Sequence, residues 1–340
     1  MWKNRRRNTF RKAWKMPRKW TKCNFYRGQT QMLRQVIESA KHQLGYHEIY
    51  DGNGATRAAI PKAAASVARV SLRDLTMPSL VGTAGNAIAR LPGTTQAGAK
   101  TTFSGAVIEQ SRVAQAGATV FVVPAAPEPI QGGGLSGDIA LRSRLASFTT
   151  VEAAKFAILA DGADAPNSAV PVYRSVAEFE PETAPTYSFS CTLSRRDLKD
   201  WEGTGQLPEA VLAAMGLGLA RAADACLLAA IVATTPPAFT LAAAAARGLQ
   251  FGELAALVGT AGTGASVYED GRLRVAGVPA ELTDTTAATI VGAFNRAAVA
   301  VGEEISLVAK RTNLDGSMEL TGHANLIALL PDDSAFFSVA

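Results

Sequence analysis

The hydrophobic pattern of this chain is clearest in one long apolar segment, PEAVLAAMGLGLARAADACLLAAIV, which runs from Pro208 to Val232. Proline suits the first position of a helix, and Glu209 suits the positive end of the helix dipole. A helix that is apolar nearly all round is buried in protein or spans a membrane. In a bilayer, Arg221 and Asp224 would each cost about 2.5–3.5 kcal/mol near the helix centre. The pattern therefore predicts a helix buried in protein, with Arg221 and Asp224 as an i,i+3 ion pair.

Alternation of apolar and polar residues predicts strands on both sides of this helix. The segment Asp161–Ser168 is rich in Gly, Asp, Asn and Pro, as an exposed turn is. It predicts that Val151–Pro185 is a two-stranded extended loop. The predicted strands are 170–180, 187–193, 272–279, 304–312 and 318–330, with shorter β-like stretches at 102–108 and 119–123.

Weaker patterns predict the remaining elements. Met32, Val36, Ile37 and Leu44 have roughly helical spacing and predict a short amphipathic helix within 28–50. A second helical run is expected at 248–268, and a short helix or turn at 284–296. Residues 76–140 are rich in Gly, Pro, Thr and Ser. So long a weakly patterned span is uncommon inside one compact domain and suggests an extended arm lying across other subunits.

Charge divides the chain into a basic start and an acidic body. The first 27 residues hold eleven of the 34 basic side chains and no acidic one. Removing those eleven leaves 23 basic against 29 acidic residues, a net charge of −6 for the body. A block of like charge this dense cannot bury enough apolar surface to fold alone. It needs a polyanionic partner or a neighbouring subunit.

Several interpretations of the basic start remain open. A mitochondrial transit peptide is usually rich in serine, which this stretch lacks. An upstream start codon assigned in error would give the same break in composition. A membrane-surface helix would need Trp2, Trp14 and Trp20 on one face, where helical spacing does not put them. The favoured interpretation is a disordered or extended arm that binds nucleic acid.

Signatures of catalysis and of metal binding are weak. The glycine clusters at 130–137 and 259–266 lack the Lys-Ser/Thr of a P-loop. Cys23, His42 and His47 match no zinc spacing, and His323 is interpreted as structural within a terminal hairpin. Three widely spaced cysteines argue against a disulfide framework. We expect no enzyme, no cofactor and no metal.

The residues YSFSCTLSRRDLKDW (187–201), followed by the long Ala/Leu helix, resemble the tailed-phage major capsid family, which has the Hong Kong 97-type fold. In that family an extended loop returns as a strand and leads into a long spine helix. Further matches are Gly277–Pro279, Gly292–Phe294 with Arg296, and Pro331–Phe336. The resemblance covers about 200 of the 340 residues. Residues 28–140 match nothing in the family except SLRDL (71–75), which is similar to its N-terminal arm.

The resemblance implies an α+β fold with an N-terminal arm, an extended β loop, a spine helix, and peripheral and small axial domains. The implied boundaries are 1–75 for a basic arm with a short helix, 76–150 for an extended arm or insertion, 151–188 for the extended loop, 189–235 for the peripheral domain with the spine helix, 236–298 for the axial domain, and 299–340 for strands that return to the peripheral domain.

The resemblance also implies a function: a structural major capsid protein that self-assembles, as hexamers and pentamers, into an icosahedral phage head around double-stranded DNA. Scaffold, portal and cement proteins are candidate partners, and no membrane is expected. The chain would be assembled in the host cytoplasm and reside in the virion capsid. The alternatives are a cellular nanocompartment shell of the same fold, an enzyme with an unrecognised site, or a stand-alone nucleic-acid-binding protein that uses the basic start alone. The expected DNA-facing residues are Lys3, Arg5, Arg6, Arg7, Arg11, Lys12, Lys15, Arg18, Lys19, Lys22 and Arg27.

Overall fold

The alternating segments and the apolar helix build a mixed α+β structure, seen here in a computed structural model. It describes residues 27–41, 46–50, 56–61, 65–72, 102–124, 145–154, 156, 158–159, 161, 164, 169–179, 184–204, 207–311 and 316–339.

The described part of the chain contains six α-helices. They are α1 (Arg27–Lys41), α2 (Phe103–Gln110), α3 (Arg112–Gln115), α4 (Arg195–Thr204), α5 (Leu207–Ala233) and α6 (Leu241–Ala246). Single 3₁₀ turns lie at Phe251–Glu253, Phe294–Arg296 and Asp333–Ala335.

Sixteen strands accompany these helices in the described residues. They are β1 (Tyr46–Tyr50), β2 (Thr56–Pro61), β3 (Ala65–Ser71), β4 (Thr119–Val123), β5 (Leu145–Val151), β6 (Val172–Glu178), β7 (Thr186–Leu193), β8 (Ala255–Val258), β9 (Ala265–Val267), β10 (Leu273–Val275), β11 (Val278–Leu282), β12 (Thr289–Gly292), β13 (Ala298–Gly302), β14 (Glu304–Lys310), β15 (Met318–Leu329) and β16 (Phe336–Val339).

The strands form two larger sheets and two ribbons. The main sheet has the order β3-β14-β15-β13-β4, and β7 also pairs with β15. The second sheet has the order β16-β12-β8-β11-β10-β9. The pair β1-β2 forms one ribbon, and β5-β6 forms another, which is called the ribbon below. Both larger sheets contribute to one continuous hydrophobic core.

The predicted long helix is confirmed as α5, which contacts α1, α2, α3, β13 and β15. Its side chains Leu227, Leu228 and Ile231 are fully buried. By length and composition, Ala210–Ala233 could also cross a membrane, but 56% of that window is buried inside the protein. The contacts of α5 with the sheet and the other helices are those of a core helix. The buried residue Asp224 also fits a helix enclosed by protein.

The predicted ion pair within α5 is wrong, because its two charges have separate partners. Arg221 lies 3.4 Å from Asp284 on the protein surface. Asp224 is buried and accepts hydrogen bonds from the Ser111 hydroxyl at 2.6 Å and from the backbone N–H groups of Arg112 and Val113, both at 3.0 Å. The Asp224 carboxylate thus satisfies the first N–H groups of α3 and ties that helix to α5.

The main sheet is covered on both faces around β13, whose five residues are all buried. Val299 and Val301 belong to the main core on the α5 side. Ala298 and Ala300 point the other way and join a smaller core with Phe179. Because side chains alternate along a strand, a run without polar residues predicts a strand buried on both faces.

The second sheet contains a tight hairpin that alternation alone did not reveal. Residues 272–279 were expected to be one strand, but Val275 pairs with Val278 across a two-residue turn. Ala276 and Gly277 occupy this turn with φ values of 47° and 85°. Positive φ at both central positions is the requirement of the hairpin turns that match strand twist, and glycine meets it most easily.

Three local predictions are wrong in part. The predicted helix within 28–50 ends at Lys41, and Tyr46–Tyr50 is a strand. The β-like stretch 102–108 is helical, because the Thr102 hydroxyl accepts from the N–H of Gly105 and caps α2. The helical run expected at 248–268 holds a 3₁₀ turn and the strands β8 and β9.

Part of the segment interpreted as an extended arm or insertion, 76–150, belongs to the core. Phe103, Val107 and Val113 are buried in the main core. The strand β4 pairs in parallel with β13 at the edge of the main sheet. Residues 102–123 are thus integrated into the core and the main sheet, while 76–101 and 125–144 lie outside the described residues. The extended loop also begins earlier than residue 151, because its first strand starts at Leu145.

Leu227→Ala is expected to lower the free energy of unfolding by about 2–5 kcal/mol, because it leaves a cavity at a fully buried position of α5. Urea unfolding followed by circular dichroism measures the loss. Val232→Ala, at an exposed position of the same helix, is the matched control and should change stability by only about 0.5 kcal/mol. Equal losses in the two variants would contradict the buried face assigned to α5.

Asp224 should give the fold a pH dependence of known sign. Burial raises the pKa of its carboxyl above the ordinary value of 3.8, although its three hydrogen-bond donors oppose this. Between the unfolded and folded pKa values, the folded state therefore holds more protons, and stability falls as the pH rises. Asp224→Asn cannot titrate. The unfolding free energy of the wild type minus that of Asp224→Asn should thus decrease as the pH rises through and above the ordinary carboxyl pKa of 3.8.

Other carboxyl groups titrate alike in the two proteins. Their contribution therefore drops out when the two unfolding free energies are subtracted. Urea unfolding of both proteins over a pH series gives this difference directly. A difference that increases with pH would show that the hydrogen bonds to Asp224 outweigh its burial.

Candidate assembly surface

The ribbon is a regular antiparallel pair of seven residues on each side. Leu145 pairs with Glu178 at one end, called the root, and Val151 pairs with Val172 at the other, called the distal end. The chain between the strands, residues 153–171, is called the tip. Only β6 lies within the predicted extended loop Val151–Pro185, whereas β5 precedes it and ends at Val151.

The inner face of the ribbon lies on the main sheet, opposite α5. Ala146 and Phe179 are buried there against Ala298 and Ala300. At Gly302 a Cβ atom would come within 3.1 Å of the Phe179 ring. Glycine therefore lets the root of the ribbon sit close to β13.

The distal end of the ribbon is attached to the body by charge. The side chain of Glu152, the first residue after β5, forms a close ion pair with Arg296. Asp332 and Glu253 also lie near this guanidinium. The group is called the Arg296 cluster. It joins the ribbon to two 3₁₀ turns and to the loop after β15.

Several large apolar side chains on the outer face of the ribbon and in the described part of the tip are exposed in the isolated chain. Phe156 is 98% exposed and Ile158 is 104% exposed. Val151, Val170 and Val176 are also largely exposed. Exposed Ser147, Thr149 and Arg174 lie between them on the same face. Single exposed apolar residues are ordinary, but several on one segment are typical of an interaction site.

A second apolar surface is a groove of about 290 Å³ between α5 and β7. Tyr187, Phe189, Met215 and Ile305 are among its lining residues. Burial, together with a hydrogen bond to Cys226, raises the pKa of the Tyr187 hydroxyl to about 12. The tyrosine therefore stays protonated at ordinary pH. Most of the groove lining is apolar, although Ser188, Cys191 and His323 also line it, so the groove is suited mainly to packing.

Of the predicted DNA-facing residues, only Arg27 lies in the described part of the chain, where it is the first residue of α1. The other ten lie outside the described residues, as do Cys23 and His42. His47 is in β1, and His323 lies in β15 opposite Ser306. The described residues contain no group of three or more His, Cys, Asp or Glu that could hold a metal ion.

Sequence reasoning missed the Arg296 cluster. Arg296 was noted only as part of a family resemblance, and its partners come from residues 152, 253 and 332. One signal was available: Arg296 is the only charged residue between Asp284 and Glu303. A lone charge in such an apolar run is expected to be buried with partners.

No family model matches the chain, and no curated protein matches it. Solved structures do match. One is the satellite phage P4 procapsid including its size determination protein, at 12% identity and a TM-score of 0.41, with 68% of this chain and 95% of that chain covered. A virus-like particle from Pyrococcus furiosus matches at 13% identity and a TM-score of 0.39, covering 70% and 98% of the two chains.

The mature capsid of bacteriophage PhiM1 matches at 12% identity and a TM-score of 0.38, with 78% of this chain and 96% of that chain covered. The chain is therefore similar to proteins of phage capsids and of a virus-like particle.

Proposed function

We propose that this chain is a structural subunit that self-assembles into a closed shell, the major capsid protein of a tailed phage. One observation carries the proposal: large apolar side chains of the tip and of the outer face of the ribbon are exposed, and no described part of the same chain covers them. Phe156 and Ile158 are fully exposed there. A second copy of the chain is the partner that would bury them.

Contacts between two different surfaces favour rings over a simple dimer. In this proposal the exposed apolar side chains of the ribbon contact a different surface on the neighbouring subunit rather than the same surface. Such head-to-tail contacts close into rings when the rotation between subunits allows it. In this proposal the rings are the hexamers and pentamers of an icosahedral head. The main sheet with α5 is the peripheral domain, and the second sheet is the axial domain.

Charge supports a role for the first 27 residues inside the shell. Eleven basic side chains stand there without an acidic one, while the remainder of the chain has a net charge of −6. Positive charge binds duplex DNA by releasing condensed counterions, without reading its sequence. The proposed arrangement places these side chains against packaged double-stranded DNA. Scaffold, portal and cement proteins are further proposed partners, with assembly in the host cytoplasm.

Replacing Phe156 and Ile158 together by serine should abolish shell formation at concentrations where the wild type assembles. Each apolar side chain is worth about 1.5–3 kcal/mol when buried, so the subunit concentration needed for assembly should rise about tenfold or more. Light scattering and negative-stain microscopy measure assembly. The urea unfolding of the double variant should match the wild type, because both side chains are exposed in the isolated chain.

Asp161→Ser is the control, since it changes an exposed polar residue of the same tip. It should assemble like the wild type. Normal assembly of the Phe156→Ser, Ile158→Ser variant would show that the tip is not a subunit contact.

A chain that starts at Gly28 should bind random duplex DNA much more weakly than the full chain. For the full chain, the logarithm of affinity should fall with the logarithm of salt concentration by about 0.9 for each phosphate neutralised. Fluorescence anisotropy at several salt concentrations gives both quantities.

Trp2, Trp14 and Trp20 provide the control. Changing all three to alanine keeps every positive charge and should keep the salt slope, because base stacking contributes little on duplex DNA. If the chain that starts at Gly28 bound DNA as tightly as the full chain, the first 27 residues would have no DNA-binding role.

A further inference from the structure

Arg296 faces more negative charge than it can neutralise. Its Nη1 atom contacts Glu152 and lies 3.4 Å from Asp332, and its Nη2 atom lies 3.9 Å from Glu253. The Arg296 side chain is only 15% exposed. One positive charge therefore serves three carboxylates, which repel one another and compete for the same five N–H donors.

The three carboxylates differ in how firmly they are held. Asp332 is almost fully buried, and it accepts hydrogen bonds from the backbone and the hydroxyl of Ser334. One oxygen of Glu253 is buried and has no hydrogen-bond partner among the described residues. Glu152 belongs to the ribbon, where Tyr173 donates to its other oxygen at 3.4 Å. Glu253 therefore has the most to gain from a closer approach to Arg296.

The two ends of the ribbon are attached by different forces. At the root, Ala146 and Phe179 are buried against the main sheet. Towards the distal end the inner face is more polar, and the Thr150 hydroxyl is buried there without a hydrogen-bond partner among the described residues. The apolar root can therefore stay in place while the distal end moves. The ion pair of Glu152 with Arg296 attaches this distal end to the body.

We propose that the Arg296 cluster is a releasable clasp that holds the distal end of the ribbon against the body and so sets the direction of the tip. When Glu152 leaves, Arg296 keeps Asp332 and gains a full interaction with Glu253. No buried charge is left unpaired, which is the usual obstacle to opening a buried ion pair. The ribbon thus has a docked and a lifted position, related by a pivot at Phe179.

The proposal predicts opposite effects for two similar substitutions. Glu152→Gln removes the charge on the ribbon and should favour the lifted position, by about tenfold or more in the ratio of lifted to docked chains. Glu253→Gln removes the competing carboxylate and should favour the docked position. A cluster that only stabilises the fold would loosen in both variants.

The distance between the tip and the body reports the position of the ribbon. Spin labels on Asp161→Cys and Asp270→Cys, in a full chain whose three natural cysteines are changed to alanine, give this distance by pulsed electron paramagnetic resonance. Arg174→Gln is the matched control, because Arg174 is an exposed charge on the ribbon, away from the cluster. Dispersed chains are used, so the result does not depend on whether shells form.

The expected result is a longer and broader distance for Glu152→Gln, a larger docked fraction for Glu253→Gln, and no change for Arg174→Gln. Urea unfolding of each labelled variant establishes that the fold is intact. The clasp would be overturned if Glu152→Gln left the distance unchanged, or if Glu253→Gln also lengthened it.

Discussion

The burial of β13 on both faces is the constraint on which the rest of the structure depends. Its valines pack towards α5, and its alanines receive the root of the ribbon. Small side chains on one face let the ribbon lie close, and larger ones on the other fill the space beside the helix. Because a close-packed interior responds to small changes in volume, β13 couples the position of α5 to that of the ribbon.

Two charged residues connect parts of the chain that are far apart in sequence. Asp224 fastens residues 111–113 to α5, whereas Arg296 connects residues 152, 253 and 332. Their environments differ. Asp224 is surrounded by donors that suit one geometry, so it holds its neighbours rigidly. Arg296 is surrounded by three carboxylates, so one of them can leave while the guanidinium stays paired with the other two.

Sequence patterns predicted the elements whose periodicity is strong and local. The helix α5 and the strands β6, β7, β14 and β15 lie close to their expected positions. Around β8 the run FGELAALV is short and apolar, and such a run does not distinguish a buried strand from a helix. At α2, the cap from Thr102 outweighed the β-like composition of TTFSGAVI. The partners of Arg296 could not be predicted, because no local pattern connects residues so far apart.

The pairing of β3 with β14 has a consequence for the time course of folding. The Ser71 hydroxyl donates to Glu303, which lies 232 positions later in the chain. During synthesis, β3, β4 and β7 all emerge before the strands they pair with, so their edges remain open until β13, β14 and β15 have been made. Such distant pairings form slowly, and open strand edges invite pairing with other chains. The nascent chain therefore passes through an interval in which protection against association with other copies matters more than the stability of the finished fold.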